Sequence, residues 1–239
     1  MTTVDILAIA AHRDDVELSC GGTLIKAAML GRTTAVIDLT AGELGTKGSA
    51  EIRGEEASRA ASVMGLAARE NLGLPDGGVA NTPETRAMLA VAIRRFRPTI
   101  VIAPSIRGKH PDHTVASQLI LDACFIAGLE KVAPDTPVFR PRKVIHCLAY
   151  REDNLKPTFV VDITDSFEQK LEAVKCYSSQ FDEAIQAGEV FPNGEPLYDI
   201  IRHQAAHYGS LIRTRYGEPF FTTETMRVDD IAALEVATF

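Results

Sequence analysis

The strongest constraint on the fold of this chain is the alternation of short β-branched apolar runs with segments of helical length and period. Val4-Asp5-Ile6-Leu7-Ala8-Ile9-Ala10 and Thr99-Ile100-Val101-Ile102-Ala103 are almost continuously apolar, as strands buried on both faces must be. Further strands are expected at residues 34–39, in a short stretch within 70–78, and at 143–148 and 158–161. Helices are expected between them at residues 20–30, 51–64, 82–96 and from about 116 to 128, then at 165–177 and 197–208. Thr82-Pro83 reads as an N-cap followed by the first helical residue, and Asp165-Ser166-Phe167-Glu168 has capping-box spacing. Repeated βα units of this kind give an α/β fold, Rossmann-like, with a mostly parallel sheet and helices on both faces.

At 239 residues the chain can form one large domain, and no linker, repeat or charge block divides it. A formal net charge of −7 argues against a nucleic-acid partner, which requires a basic face. The N-terminus lacks a basic region and a signal-length apolar run, and no run reaches the length of a membrane span. Cys20, Cys124, Cys147 and Cys176 form no C-x-x-C pair and read as reduced, mostly buried thiols, so a cytoplasmic protein with no membrane partner is expected.

Ligands of doubly wound folds collect at the carboxyl ends of the strands. Ala11-His12-Arg13-Asp14-Asp15-Val16-Glu17 follows the first strand, Glu43 follows the second, and Lys109-His110-Pro111-Asp112-His113 follows the 99–103 strand. Charges at the end of a buried strand are costly unless they are paired, hydrogen-bonded or bound to a metal. His12 and Asp15 with the distant His113 form a three-ligand set of the type that holds catalytic Zn²⁺ and leaves one position open. Asp14 is then free to take a proton from water, and His110, held by Asp112, can stabilise charge on a substrate oxygen. Fe²⁺ or another divalent ion suits two His and one Asp as well.

Together with Gly21-Gly22-Thr23-Leu24, the first of these motifs resembles the opening motif of the LmbE/PIG-L family of zinc-dependent N-acetylglucosamine deacetylases. His110-Pro111-Asp112-His113 resembles its second motif. Gly42-Glu43-Leu44-Gly45-Thr46 and Asn71-Leu72-Gly73-Leu74-Pro75-Asp76 are most similar to the bacillithiol-biosynthesis branch, which removes acetate from N-acetylglucosaminyl-malate. The resemblance implies zinc on His12, Asp15 and His113, with Asp14 as general base and then acid. It further implies His110 oriented by Asp112, and substrate contacts from Arg53, Lys109 and Glu43. Tyr198 is the candidate for a tyrosine that relatives bring over the site, and a homo-oligomer, in many relatives a hexamer, is implied.

Where the family usually has proline, this chain has Arg13, which loses a stiff φ in the turn aiming the ligands. Arg13 would instead pair with an acid or reach the substrate. Plainer readings stand beside these: Glu17 as a first-turn acid favoured by the helix dipole, Arg53 and Lys109 as solvated charges, and Tyr216 and Phe220-Phe221 as packing residues. His203 and His207, four apart on a helix, lack a third ligand nearby and read as exposed. Alternative functions are deacetylation of another N-acetylglucosaminyl conjugate or a chito-oligosaccharide, or metal-site remnants on a non-catalytic binding protein. A nucleotide-dependent oxidoreductase is excluded because no G-x-G-x-x-G follows the first strand.

Overall fold

The computed structural model describes residues 3–149, 155–181 and 197–236. Side chains alternate along β1 (Ile6–Ala10), so Leu7 and Ile9 face one side of the sheet and Ala8 and Ala10 the other. The larger pair packs against α4 (Pro83–Phe96) and α5 (Pro111–Ile126) through Leu89, Ile93, Leu119 and Ile120. The alanine face accommodates α1 (Asp15–Ser19) and α2 (Gly21–Met29), flanked by α3 (Ala50–Met64) and α6 (Phe167–Lys175). The remaining strands are β2 (Thr34–Thr40), β3 (Ala68–Leu74), β4 (Ile100–Ala103), β5 (Lys143–Cys147), β6 (Phe159–Asp162) and β7 (Gly217–Phe221).

These form one seven-stranded sheet in the order β3-β2-β1-β4-β5-β7-β6. The first five strands pair in parallel, and β7 runs antiparallel between β5 and β6. Ile6 of β1 sits opposite both Thr34 and Ile100. The chain winds outward from β1 to β3 and then returns to β4, so the loops after β1 and β4 leave the sheet in opposite senses. A crevice opens at such a switch point, and it lies at the ends where the polar motifs begin.

The α/β class and the parallel core agree with the sequence, and so does the Thr82 cap, where Thr85 completes a reciprocal pair of bonds ahead of Pro83. Three local features differ. The expected capping box at residues 165–168 does not form: Ser166 precedes α6, and its hydroxyl donates to the Gly22 and Ile163 carbonyls instead. The entry turn is made by Asp162, whose Oδ1 accepts from the Thr164 N–H (2.9 Å) and hydroxyl (2.6 Å). Strand β7 carries no sequence signal, because Gly217 and Pro219 both oppose a strand assignment. Phe220 is nevertheless fully buried and stacks on Phe159.

The C-terminal part of the chain is stitched to the N-terminal part by one buried carboxylate. Glu218 on β7 accepts from the backbone N–H groups of Gly22 (2.9 Å) and Thr23 (2.7 Å) at the start of α2, and from Lys170 Nζ (2.5 Å). These are the orphan donors of a helix N-terminus, where negative charge is favoured. A Cβ on Gly22 would come within 2.9 Å of Ile163 Cδ1 and 3.1 Å of Glu218 Oε1, so a larger residue there would force Ile163 and the carboxylate to shift. Two further α-helices, α7 (Ser178–Phe181) and α8 (Leu197–Leu211), and short 3₁₀ turns at Thr164–Ser166 and Ile231–Ala233 complete the described chain. All four cysteines are free thiols. The loop expected at 188–194 lies outside the described residues. No helix among them is long and apolar enough to cross a membrane.

Candidate metal and catalytic site

Three groups from two distant motifs meet at the switch point. His12 Nδ1 is 3.3 Å from Asp15 Oδ2, which is 3.1 Å from His113 Nε2, and the two ring nitrogens are 3.3 Å apart. Four ligands at about 2.0–2.1 Å from a tetrahedral Zn²⁺ lie about 3.3 Å from one another. The triangle therefore has the size of one face of such a tetrahedron, with its apex left for water or substrate. Burial alone would keep His12 neutral, yet Asp15, Asp14 and Asp76 outweigh it and push its pKa up to about 9. Burial likewise opposes ionisation of Asp15, but His113 and His12 hold its carboxyl well below the usual range. The pocket is built to attract a cation.

The other ring nitrogen of His12 shows which lone pair is offered. Its Nε2 lies 3.1 Å from Asp76 Oδ1 and 3.3 Å from Asp112 Oδ2, so a proton is held there, and Nδ1 is the nitrogen whose proton a metal ion would displace. Asp112 is fixed in turn by the N–H groups of Gly77 (2.8 Å) and Val79 (3.2 Å). His12, Asp76 and Asp112 are also close enough to hold an ion themselves. Both oxygens of Asp112 are already hydrogen-bonded, however, which suits it to orienting His12 rather than to ligation. The expectation that the Asp112 carboxylate holds His110 is thus corrected: it turns to His12, and only the Asp112 backbone N–H reaches His110 Nδ1 (3.2 Å). That single bond makes Nδ1 of His110 an acceptor and leaves its Nε2–H as a donor.

Asp14, one residue from the triangle, is outside it. Its Oδ1 receives Arg53 Nη2 at 3.2 Å, while Arg53 Nη1 donates to the Gly42 carbonyl (3.2 Å). Burial is the largest influence on the Asp14 carboxyl and, with Asp15 nearby, raises it to about 6 against the opposing pull of Arg53. A cavity of about 420 Å³ opens beside these groups, with Asp15, Lys109, His110 and His113 among its walls.

The match to a known family decides what this arrangement belongs to. The family described as PIG-L, GlcNAc-PI de-N-acetylase, matches residues 7–124, which include both motifs. A diacetylchitobiose deacetylase of Thermococcus kodakarensis is 32% identical over 226 residues, covering 89% of this chain and 80% of its own. The chain belongs to the PIG-L/LmbE family. Among solved structures, the conserved protein TT1542 of Thermus thermophilus is 38% identical with a TM-score of 0.84, covering 95% of this chain and 98% of the other. The N,N'-diacetylchitobiose deacetylase of Pyrococcus horikoshii, in complex with an inhibitor, is 27% identical with a TM-score of 0.79 over 91% of this chain and 82% of its own. The PIG-L/LmbE relatives named as enzymes here are hydrolytic N-deacetylases.

Against the PIG-L/LmbE pattern, the remaining expected residues divide. Arg53 is buried and donates through Nη1 to Gly42 and through Nη2 to Asp14, while its Nε has no hydrogen-bond partner. Lys109 is exposed at the cavity wall. Glu43 is exposed, and its Oε1 accepts from the Asp76 N–H (2.8 Å), tying two site loops together. Tyr198 is not brought to the site: it sits on the first turn of α8, with its ring 5.9 Å from Lys175 Nζ. Arg13 makes no direct ion pair with an acid among the described residues. Its guanidinium donates to the Ala50 carbonyl at the head of α3 and lies against Gly54. His203 and His207 are exposed.

Arg69, which carries no signal in the sequence, ties this turn to β2 and α1. It donates to both oxygens of Asp38 (2.8 Å each), to Glu17 Oε1 (2.5 Å) and to the Arg13 carbonyl (3.3 Å). Tyr177 also donates to Glu17 (3.0 Å), so Glu17 is a buried anchor of the turn and not a surface acid. Asp76 ends the Asn71–Asp76 motif and meets His12 Nε2 at 3.1 Å. Its position directly after β3 was the signal that could have placed it at the site.

Proposed function

We propose that this protein is a metal-dependent hydrolase that removes acetate from an N-acetylglucosamine conjugate, with His12, Asp15 and His113 holding Zn²⁺ or a similar divalent ion. The observation that carries this reading is the 3.1–3.3 Å triangle of ligand atoms beside a separate, buried carboxylate. A divalent ion bound there supplies Lewis acidity toward a water and toward the amide carbonyl. Asp14 Oδ2 accepts the proton released as water attacks, and the same carboxyl returns it to the departing amine nitrogen. The Arg53 contact at Oδ1 keeps the carboxylate aimed during both transfers. His110 donates from Nε2 to the carbonyl oxygen as its negative charge grows. It does so as a neutral ring, since its tautomer is set by the Asp112 N–H.

The substrate reading goes one step further. Lys109 places a positive charge at the cavity wall, which suits a carboxylate on the aglycone, as in N-acetylglucosaminyl-malate of bacillithiol biosynthesis. Arg53, being engaged with Asp14, does not add a second cation for that group. The deciding experiment compares release of acetate from N-acetylglucosaminyl-malate, diacetylchitobiose and an inositol-linked N-acetylglucosamine, with bound metal measured alongside. The malate conjugate is expected to give the highest kcat/KM. Asp14→Asn is expected to lower kcat by about 10²–10⁴-fold with metal content unchanged. Near-normal turnover in that variant would remove Asp14 from the proton path.

A further inference from the structure

The 420 Å³ cavity is far larger than the methyl group of an acetamide needs. An apolar cavity of about 150 Å³ already takes a six-carbon ring. Its polar groups gather near the ligand triangle, whereas its buried walls are formed by Ala8, Ala10, Ile102, Cys20, Cys147 and Leu148. Two hydroxyls also line it and each is partly engaged by the chain: Ser19 Oγ donates to the Asp15 carbonyl (2.6 Å), and Ser105 Oγ accepts from the Arg107 N–H while keeping its own proton. Cys147 Sγ donates to the Ala103 carbonyl (3.3 Å). A sugar ring carries several hydroxyls, each costly to bury without a partner, so this wall is unsuited to it. The polar face made by Asp14, Arg53 and the Gly42 loop lies on α3 and the β1 and β2 ends, away from the apolar wall. A hydrocarbon chain has the opposite requirement and fits the wall.

We infer that this cavity is an acyl-chain chamber, and that the enzyme accepts N-acyl glucosamine conjugates with straight chains of about four to eight carbons as well as acetate. The inference rests on the hydrolytic reading of the triangle, because the acyl carbon must lie at the metal for its tail to enter the chamber. Both exits of the reaction are then defined: the amine leaves with the sugar, and the carboxylate leaves with the chain.

The product side gives a test that does not depend on the aglycone. Acetate, butyrate, hexanoate and octanoate are titrated into the zinc-loaded enzyme, and their affinities are read by calorimetry. Each buried methylene is expected to strengthen binding by about two- to fourfold up to hexanoate, as burial of hydrocarbon does. Cys147→Leu, which fills the chamber, is expected to collapse the hexanoate-to-acetate ratio toward one, with zinc content and circular dichroism reporting that the fold and metal survive. The second measurement is hydrolysis of N-acetyl and N-hexanoyl forms of whichever conjugate is turned over. Equal affinity along the carboxylate series, or a hexanoyl substrate cleaved at least tenfold more slowly than the acetyl one, overturns the chamber and leaves the deacetylase intact. Failure of every carboxylate to bind the zinc-loaded protein overturns the chamber, whereas failure of the protein to take up zinc overturns the triangle on which it rests.

Discussion

Replacing Arg69 by Met tests whether the ligand-bearing turn is held by buried charge. The guanidinium is 7% exposed and serves two carboxylates at once: Asp38, through two bonds of 2.8 Å, and Glu17, through one of 2.5 Å. Burial already pushes the Asp38 carboxyl up even with Arg69 beside it. Without the arginine Asp38 loses both of its donors, whereas Glu17 keeps Tyr177. Asp38 in the variant therefore takes up a proton. From an unfolded-state value of about 3.9, protonation at pH 7 costs about 4 kcal/mol, within the range measured when one partner of a buried pair is removed. For a chain of this size that corresponds to a fall in Tm of about 8–16 °C. The folded variant binds one more proton than the unfolded one, so its stability falls as pH rises above 3.9. At pH 5.5 the penalty is accordingly about 2 kcal/mol, half of that at pH 7. Arg69→Met combined with Asp38→Asn should recover most of the loss. Thermal and urea unfolding at the two pH values measure all three quantities. A Tm change below about 3 °C, or an equal penalty at both pH values, would refute the reasoning.

Two smaller perturbations address the site directly. Asp112→Asn weakens the orientation of His12 and is expected to lower metal affinity by about 10–100-fold in competition with a chromophoric chelator; undiminished affinity would show that the carboxylate does not set the His12 ring. Gly42 has φ +72°, and a Cβ there would overlap the Arg53 guanidinium, so Gly42→Ala should cost about 1–3 kcal/mol and displace the partner of Asp14. The second effect is read as a fall in kcat with KM little changed, and retention of full kcat would separate Arg53 from the proton path.

What could be read from the sequence was whatever a short stretch of chain decides. Buried strands, the cap at Thr82, and the two motifs at strand ends depend on neighbours within about ten residues, and the strand-end rule was enough to bring His12 and His113 together. Roles that depend on side-chain direction were not legible. Asp112 lies two residues from His110 and was assigned to it, but the first turn of α5 points its carboxylate across the crevice to His12. Arg69 reads as an ordinary charge on a half-polar strand until the register places β3 beside β2, with Val36 opposite Arg69 and Asn71 opposite Asp38. Tyr198 was a match by expectation of a late tyrosine, and nothing in its local sequence could show that α8 would carry it to Lys175. Strand β7 escaped because its two breakers speak louder than a single buried Phe220.

The clasp between Glu218 and the first turn of α2 also sets an order of events. The bonds to Gly22 and Thr23 span 196 and 195 residues, which makes them among the most non-local in the molecule. During synthesis all five parallel strands leave the ribosome before the carboxylate that seals α2 has been made. Until then Lys170 and two helix amides lack their counter-charge, and the crevice between β1 and β4 has one unsecured wall. Contacts of such span slow folding and prolong the exposure of apolar strands. The N-terminus of α2 is thereby secured only when β7 has been made.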